Sequence, residues 1–175
     1  MATVGLDINE NGKPTAIAVV RMQRRADEAG RQRTFRDVWA LERLSAICYD
    51  EAVERVAEIV DEATRRAGGY QPTLYGNVTA TGRAVLGALK GNGIPAQMKA
   101  AYLTAGDRRV EEDDGVKLGK GWLVFRLQEL LQTGRLLLPG SVGVEELKQE
   151  LLDYRHADDS LGPLMIALGL AVQEE

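Results

Sequence analysis

Thr3-Val4-Gly5-Leu6-Asp7-Ile8 runs into Asn9-Glu10-Asn11-Gly12 and then into Thr15-Ala16-Ile17-Ala18-Val19-Val20. Two runs rich in β-branched and small apolar residues flank an Asn/Gly turn, which is the pattern of a β-hairpin. Strands are expected over 3–8 and 14–21. Side chains alternate along a strand, so Asp7 points away from Leu6 and Ile8, and Gly5 opens a close approach on its own side. A carboxylate inside an apolar strand is costly unless a cation or hydrogen bonds compensate it. Asp7 is therefore either a divalent-metal ligand or a cap for the turn that follows it.

Outward from this hairpin, residues 22–33 are polar and glycine-containing, the composition of an extended or mobile tip. Phe35, Val38, Trp39 and Leu41 bring the chain back as a strand over 34–43. Three antiparallel strands thus open the fold. The period then changes. Val53, Val56, Ala57 and Val60 recur at three- and four-residue spacing, with acids early and Arg65-Arg66 late, which predicts an amphipathic helix over 50–66.

A strand over 72–78, a helix over 83–90 and a strand over 97–103 form a crossover unit, so those two strands are expected to be parallel. Residues 106–121 read as a charged, glycine-spaced loop on the active-site side or as a surface excursion. Helices follow over 122–132, 144–154 and 164–172, the last started by Pro163, with a brief strand or extended edge at 136–138. The expected class is α/β, a mixed sheet of antiparallel then parallel strands with helices on both faces.

Composition narrows the function classes. With 175 residues, of which 45% are hydrophobic, one compact domain over 1–175 has an adequate core. The formal net charge of −4 neither demands nor forbids nucleic-acid binding, which depends on a local basic face. Cys48 is the single cysteine and His156 the single histidine, which excludes cysteine cages and multi-histidine zinc sites. Cys48 reads as a core filler, and Trp39 and Trp122 as core anchors. No apolar run of about 20 residues and no signal-peptide pattern occur, so a cytoplasmic location without membrane contact is expected.

Two further places supply oxygen ligands. Asn77, in Leu74-Tyr75-Gly76-Asn77-Val78, offers a neutral oxygen near the end of its strand. Asp158-Asp159 precede the closing helix, with Glu150 and Asp153 a turn or so upstream. These acids either reach metal ions or favour a helix N-terminus electrostatically. Arg24, Arg25, Arg31 and Arg33, with Arg21 and Arg36, cluster around the hairpin, as a phosphate-contacting arm or as an ordinary solvated surface. Lys117 and Lys120 lie near Trp122.

Gly5-Leu6-Asp7-Ile8, the stretch from Leu74 through Asn77 to Gly82-Arg83, Leu103-Thr104-Ala105-Gly106-Asp107, the leucine-rich 122–138 segment and Ile166-Ala167-Leu168-Gly169-Leu170-Ala171 together resemble the nuclease domain of phage terminase large subunits. The resemblance covers nearly the whole chain in order. It implies a ribonuclease-H-like fold and cleavage of double-stranded DNA with Mg2+ or Mn2+ during genome packaging. The packaging ATPase would be a separate partner, since no Gly-Lys-Ser/Thr phosphate loop occurs here. It further implies Asp7, Asp158 and Asp159 as catalytic acids and Asp7, Asn77 and Asp159 as metal ligands. Lys117 and Lys120 fit a basic residue approaching the site, and the location implied is the host cytoplasm.

The departures are specific. Asn77 stands where the family carries Asp, and Ala80 replaces the first glycine of the family's turn. An ungapped alignment on the closing helix puts Leu161-Gly162-Pro163 at the family's His-Asp-Asp. Three functions follow: a metal-dependent endonuclease, a non-cutting DNA-binding or packaging subunit of nuclease descent, and a resolvase-like enzyme for branched DNA. If Pro163 starts the last helix and Asp158-Asp159 face solvent, the non-cutting reading is favoured.

Overall fold

The computed structural model describes residues 1–8, 14–27, 29–44, 49–79, 82–155 and 160–174. The turn expected over 9–12, Cys48, Ala80, His156, Asp158 and Asp159 lie outside the described residues. The opening hairpin forms as expected: β1 (Ala2–Asp7) pairs antiparallel with β2 (Thr15–Ala26), and β2 with β3 (Gln32–Leu44). β2 and β3 continue well past the apolar core. Residues 22–26 and 32–36 stay paired as a ribbon, the extended form of the tip expected over 22–33, because backbone hydrogen bonds continue the ladder.

Helix α1 (Tyr49–Arg66) has Asp50 and Glu51 in its first turn and Arg65 and Arg66 in its last, a match to the helix dipole. β4 (Thr73–Asn77), α2 (Gly82–Gly91) and β5 (Gln97–Thr104) form the crossover, with β4 parallel to both β1 and β5. The segment expected as a charged loop contains a second hairpin, β6 (Arg109–Glu112) and β7 (Gly115–Gly119), with β7 parallel to β5. Val116 and Leu118 alternate with exposed Lys117 and bury completely, a two-residue period outweighed in the sequence by the surrounding charge. α3 (Lys120–Gln132), β8 (Leu136–Leu137), α4 (Val142–Asp153) and α5 (Pro163–Ala171) complete the chain.

The eight-stranded sheet has the order β6-β7-β5-β4-β1-β2-β3-β8. Val4, Leu6 and Ile8 pack with α1 and α2 on one face. On the other face Ala16, Ala18 and Val20 meet α3, α4 and α5. Trp39 and Trp122 are only partly buried, at the margins of the core. The guanidinium groups of Arg21 and Arg66 lie over the Trp39 ring, at 5.5 and 5.1 Å from its centre. No helix among the described residues is long and apolar enough to cross a membrane.

Gly5 fixes where the last helix lies. A Cβ built there would stand 1.9 Å from the carbonyl oxygen of Ala167 and 2.7 Å from the amide nitrogen of Ala171. No residue but glycine permits that backbone approach. Thr3 donates to Glu174 at 3.5 Å just past the C-terminus of α5, so α5 runs antiparallel to β1 and begins at the Asp7 end. Tyr75 also donates to Glu174, at 2.7 Å. Burial, and then that carboxylate, push the Tyr75 phenol far above its ordinary pKa and keep it a neutral donor.

Candidate metal centre and nucleic-acid face

Strand register places Arg43, Ala16, Asp7, Asn77 and Ala101 in one row across the sheet, all on the α5 face. Asp7 ends β1 and Asn77 ends β4, and because the strands are parallel the two ends coincide. Both side chains are buried, at 1% and 9% exposure. Asn77 donates from Nδ2 to Asp7 Oδ1 at 2.7 Å. Its own Oδ1 accepts the backbone N–H of Thr79 at 3.0 Å. The Thr79 N–H is only a donor, so it selects the amide orientation and leaves NH2 facing the carboxylate.

The orientation differs from the one an oxygen ligand beside Asp7 takes. Asn77 presents Asp7 with hydrogen atoms, and its one oxygen is turned to the β4–α2 connection. Among the described residues no three His, Cys, Asp or Glu side chains gather to hold a metal ion. The residues described therefore do not fit a two-ion centre, which needs several oxygens converging on a pair of ions about 4 Å apart.

The start of α5 is also occupied. Gly162 is its N-cap and Pro163 lies in its first turn. Glu150, one of the upstream acids expected either to reach ions or to favour a helix N-terminus, does the second: it accepts the backbone N–H groups of Leu164 at 3.3 Å and Met165 at 2.9 Å. Arg43 pairs with the same carboxylate, whose side chain is only 8% exposed. A carboxylate at a helix N-terminus compensates orphan amide donors and the positive end of the dipole. A Cβ on Gly162 would lie 2.2 Å from Glu150 Oε2, so the absence of a side chain there lets the cap close. Glu150 and Arg43 are 107 positions apart, and sequence spacing gave no signal of their pairing.

The basic candidates are dispersed. Arg24 and Arg25 are exposed on β2, and Arg31 and Arg33 flank Asp27, at 3.1 and 2.7 Å from its carboxylate. The backbone N–H of Arg31, followed by that of Ala29 and the two guanidinium groups, holds the Asp27 carboxyl below its ordinary range. Ala16 faces Asp7, and Arg24 lies eight residues further along β2, so the arginines stand about 27 Å from the carboxylate. Lys117 shares a row with Tyr102 on the opposite face of the sheet from Asp7. It pairs with Glu112 at 2.9 Å, and that hydrogen bond raises its pKa. Lys120 opens α3 directly after β7.

Strands β3-β2-β1 antiparallel, β4 and β5 parallel beside β1, and helices on both faces define the ribonuclease-H-like class of fold. No family model matches the chain, and no curated protein is similar to it in sequence. Among solved structures it is similar to RuvC of Thermus thermophilus, at 15% identity over 98% of this chain and 91% of that one, with a TM-score of 0.46. It is also similar to the Mn-soaked nuclease domain of the human cytomegalovirus terminase, at 12% identity over 98% and 82% of the two chains, with a TM-score of 0.48. What the site can do depends on its own side chains.

Proposed function

We propose that this chain is a nuclease-type domain of the ribonuclease-H-like class that binds double-stranded DNA without hydrolysing it, as a subunit of a DNA-packaging or related assembly. One observation carries the reading: the carboxylate at the end of the central strand is engaged by the Asn77 amide donor. The cap on α5 supports it, because Pro163 starts the last helix and Glu150 is committed to that helix and Arg43. The DNA partner is inferred from the terminase-like motifs, and a separate packaging ATPase is the partner those motifs suggest.

The hydrolytic reading is favoured by one observation, the burial of Asp7 at a strand end. It would use Asp7, Asp158 and Asp159 with Mg2+ or Mn2+. A supercoiled-plasmid assay in Mn2+, run beside fluorescence anisotropy on a labelled duplex, separates the two. Salt-sensitive binding with intact plasmid is the expected result. Metal-dependent nicking that disappears in Asp7→Ala would overturn the non-cutting reading, and absence of duplex binding would overturn the DNA assignment.

The ribbon arginines are assigned to flanking phosphates rather than to the centre, at a distance of about eight base pairs along a duplex. Arg24→Ala with Arg25→Ala is expected to weaken binding to all sequences alike. The slope of log affinity against log salt should fall by about 0.9 for each phosphate contact removed. Salt titrations of duplex binding by the parent and the double variant measure this directly.

A further inference from the structure

We infer that Asn77 is the residue that keeps the Asp7 centre closed to divalent cations, and that replacing its amide by a carboxylate turns the pair into a cation site. The inference rests on the non-cutting reading above and deepens it. Asn77 Nδ2 stands 2.7 Å from Asp7 Oδ1, where it gives the buried carboxylate a hydrogen-bond donor. A divalent cation approaching that oxygen meets an N–H that points the wrong way and cannot ligate. Thr79 prevents the simple remedy, a flip of the amide. The flip would remove the acceptor of its backbone N–H and set two oxygens against each other.

In Asn77→Asp the Thr79 N–H continues to orient one carboxylate oxygen. The other takes the place of Nδ2 and faces Asp7 Oδ1. Two cis oxygens on an octahedral Mg2+ are about 3.0 Å apart, given Mg–O bonds of about 2.1 Å. The separation already present is 2.7 Å, so a few tenths of an ångström convert the hydrogen-bonded pair into one edge of a coordination shell. The row neighbours Ala16 and Ala101 are both small. Without a cation, two carboxylates so close in a buried site destabilise the fold, so binding and stability are linked.

The test is Mn2+ binding followed by electron paramagnetic resonance and calorimetry, with thermal unfolding recorded in Mn2+ and in chelator. The parent is expected to bind no Mn2+ through Asp7, so that Asp7→Asn leaves its isotherm unchanged. Asn77→Asp is expected to gain one Mn2+ with at least tenfold higher affinity than any parent signal. It should unfold at lower temperature in chelator and recover in Mn2+. The swapped double variant, Asp7→Asn with Asn77→Asp, keeps one carboxylate and one amide and is expected to lose the gained ion.

Should Asn77→Asp not fold, Asn77→Ser removes the amide donor without adding charge. It is expected to bind Mn2+ more weakly than a dicarboxylate, still through Asp7. No Mn2+ gained by the folded variant, or a gain that survives the swap, overturns the inference alone. Mn2+ bound by the parent through Asp7 overturns both the inference and the non-cutting reading.

Discussion

Glu150→Ala is expected to destabilise the protein by about 3–4 kcal/mol, since removing one partner of a largely buried ion pair leaves the other uncompensated. The Glu150 carboxylate serves two elements at once. It pairs with Arg43 on β3 and accepts the Leu164 and Met165 N–H groups at the start of α5. Arg43 Nε is already buried without a partner among the described residues, so losing the carboxylate adds to an existing unmet donor. For a domain of this size the loss corresponds to a fall in Tm of about 6–16 °C. Glu150→Gln keeps the shape and one acceptor oxygen and should lose clearly less. Thermal and urea unfolding of the three proteins measure the effect, and equal stability of Glu150→Ala and the parent would show that the cap is dispensable.

Gly5→Ala is expected to cost at least about 3 kcal/mol, at the upper end of overpacking effects. The added Cβ meets backbone atoms, the Ala167 oxygen at 1.9 Å and the Ala171 nitrogen at 2.7 Å, and these cannot rotate aside as a side chain can. Relief requires α5 to lift from β1, and α5 also covers β2 through Ala16, Ala18 and Val20. Reduced Tm should therefore accompany faster hydrogen exchange along α5 as well as β1. Ala18→Gly, on the same face of β2, serves as the contrasting change: it removes a methyl without collision and should cost less. Unaltered exchange in α5 of Gly5→Ala would contradict the close approach.

Much of the fold is legible in particular residues. The apolar alternation of Val4, Leu6 and Ile8 placed Asp7 and Gly5 together on the other face, and that is the face α5 covers. The spacing of Val53, Val56 and Val60 gave α1, and the crossover spacing gave parallel β4 and β5. β7 escaped because Val116 and Leu118 are too few apolar residues to outweigh Lys117 and the acids around them. The arginines were legible as a cluster, but their separation from Asp7 depends on β2 running away from the β1 terminus for eight residues.

Alternation and helical period are local properties, so the sequence by itself determined the class of fold and the inward aim of Asp7. It also identified Asn77 and Gly162-Pro163 as departures from an acidic centre. Only the tertiary structure decided which atoms meet. Asp7 and Asn77 are 70 positions apart and Arg43 and Glu150 are 107, and register across five strands and two helices sets their contacts. The direction of a single side-chain amide, fixed by the Thr79 N–H, is invisible to composition and spacing. That direction makes Asn77 a hydrogen-bond donor toward Asp7.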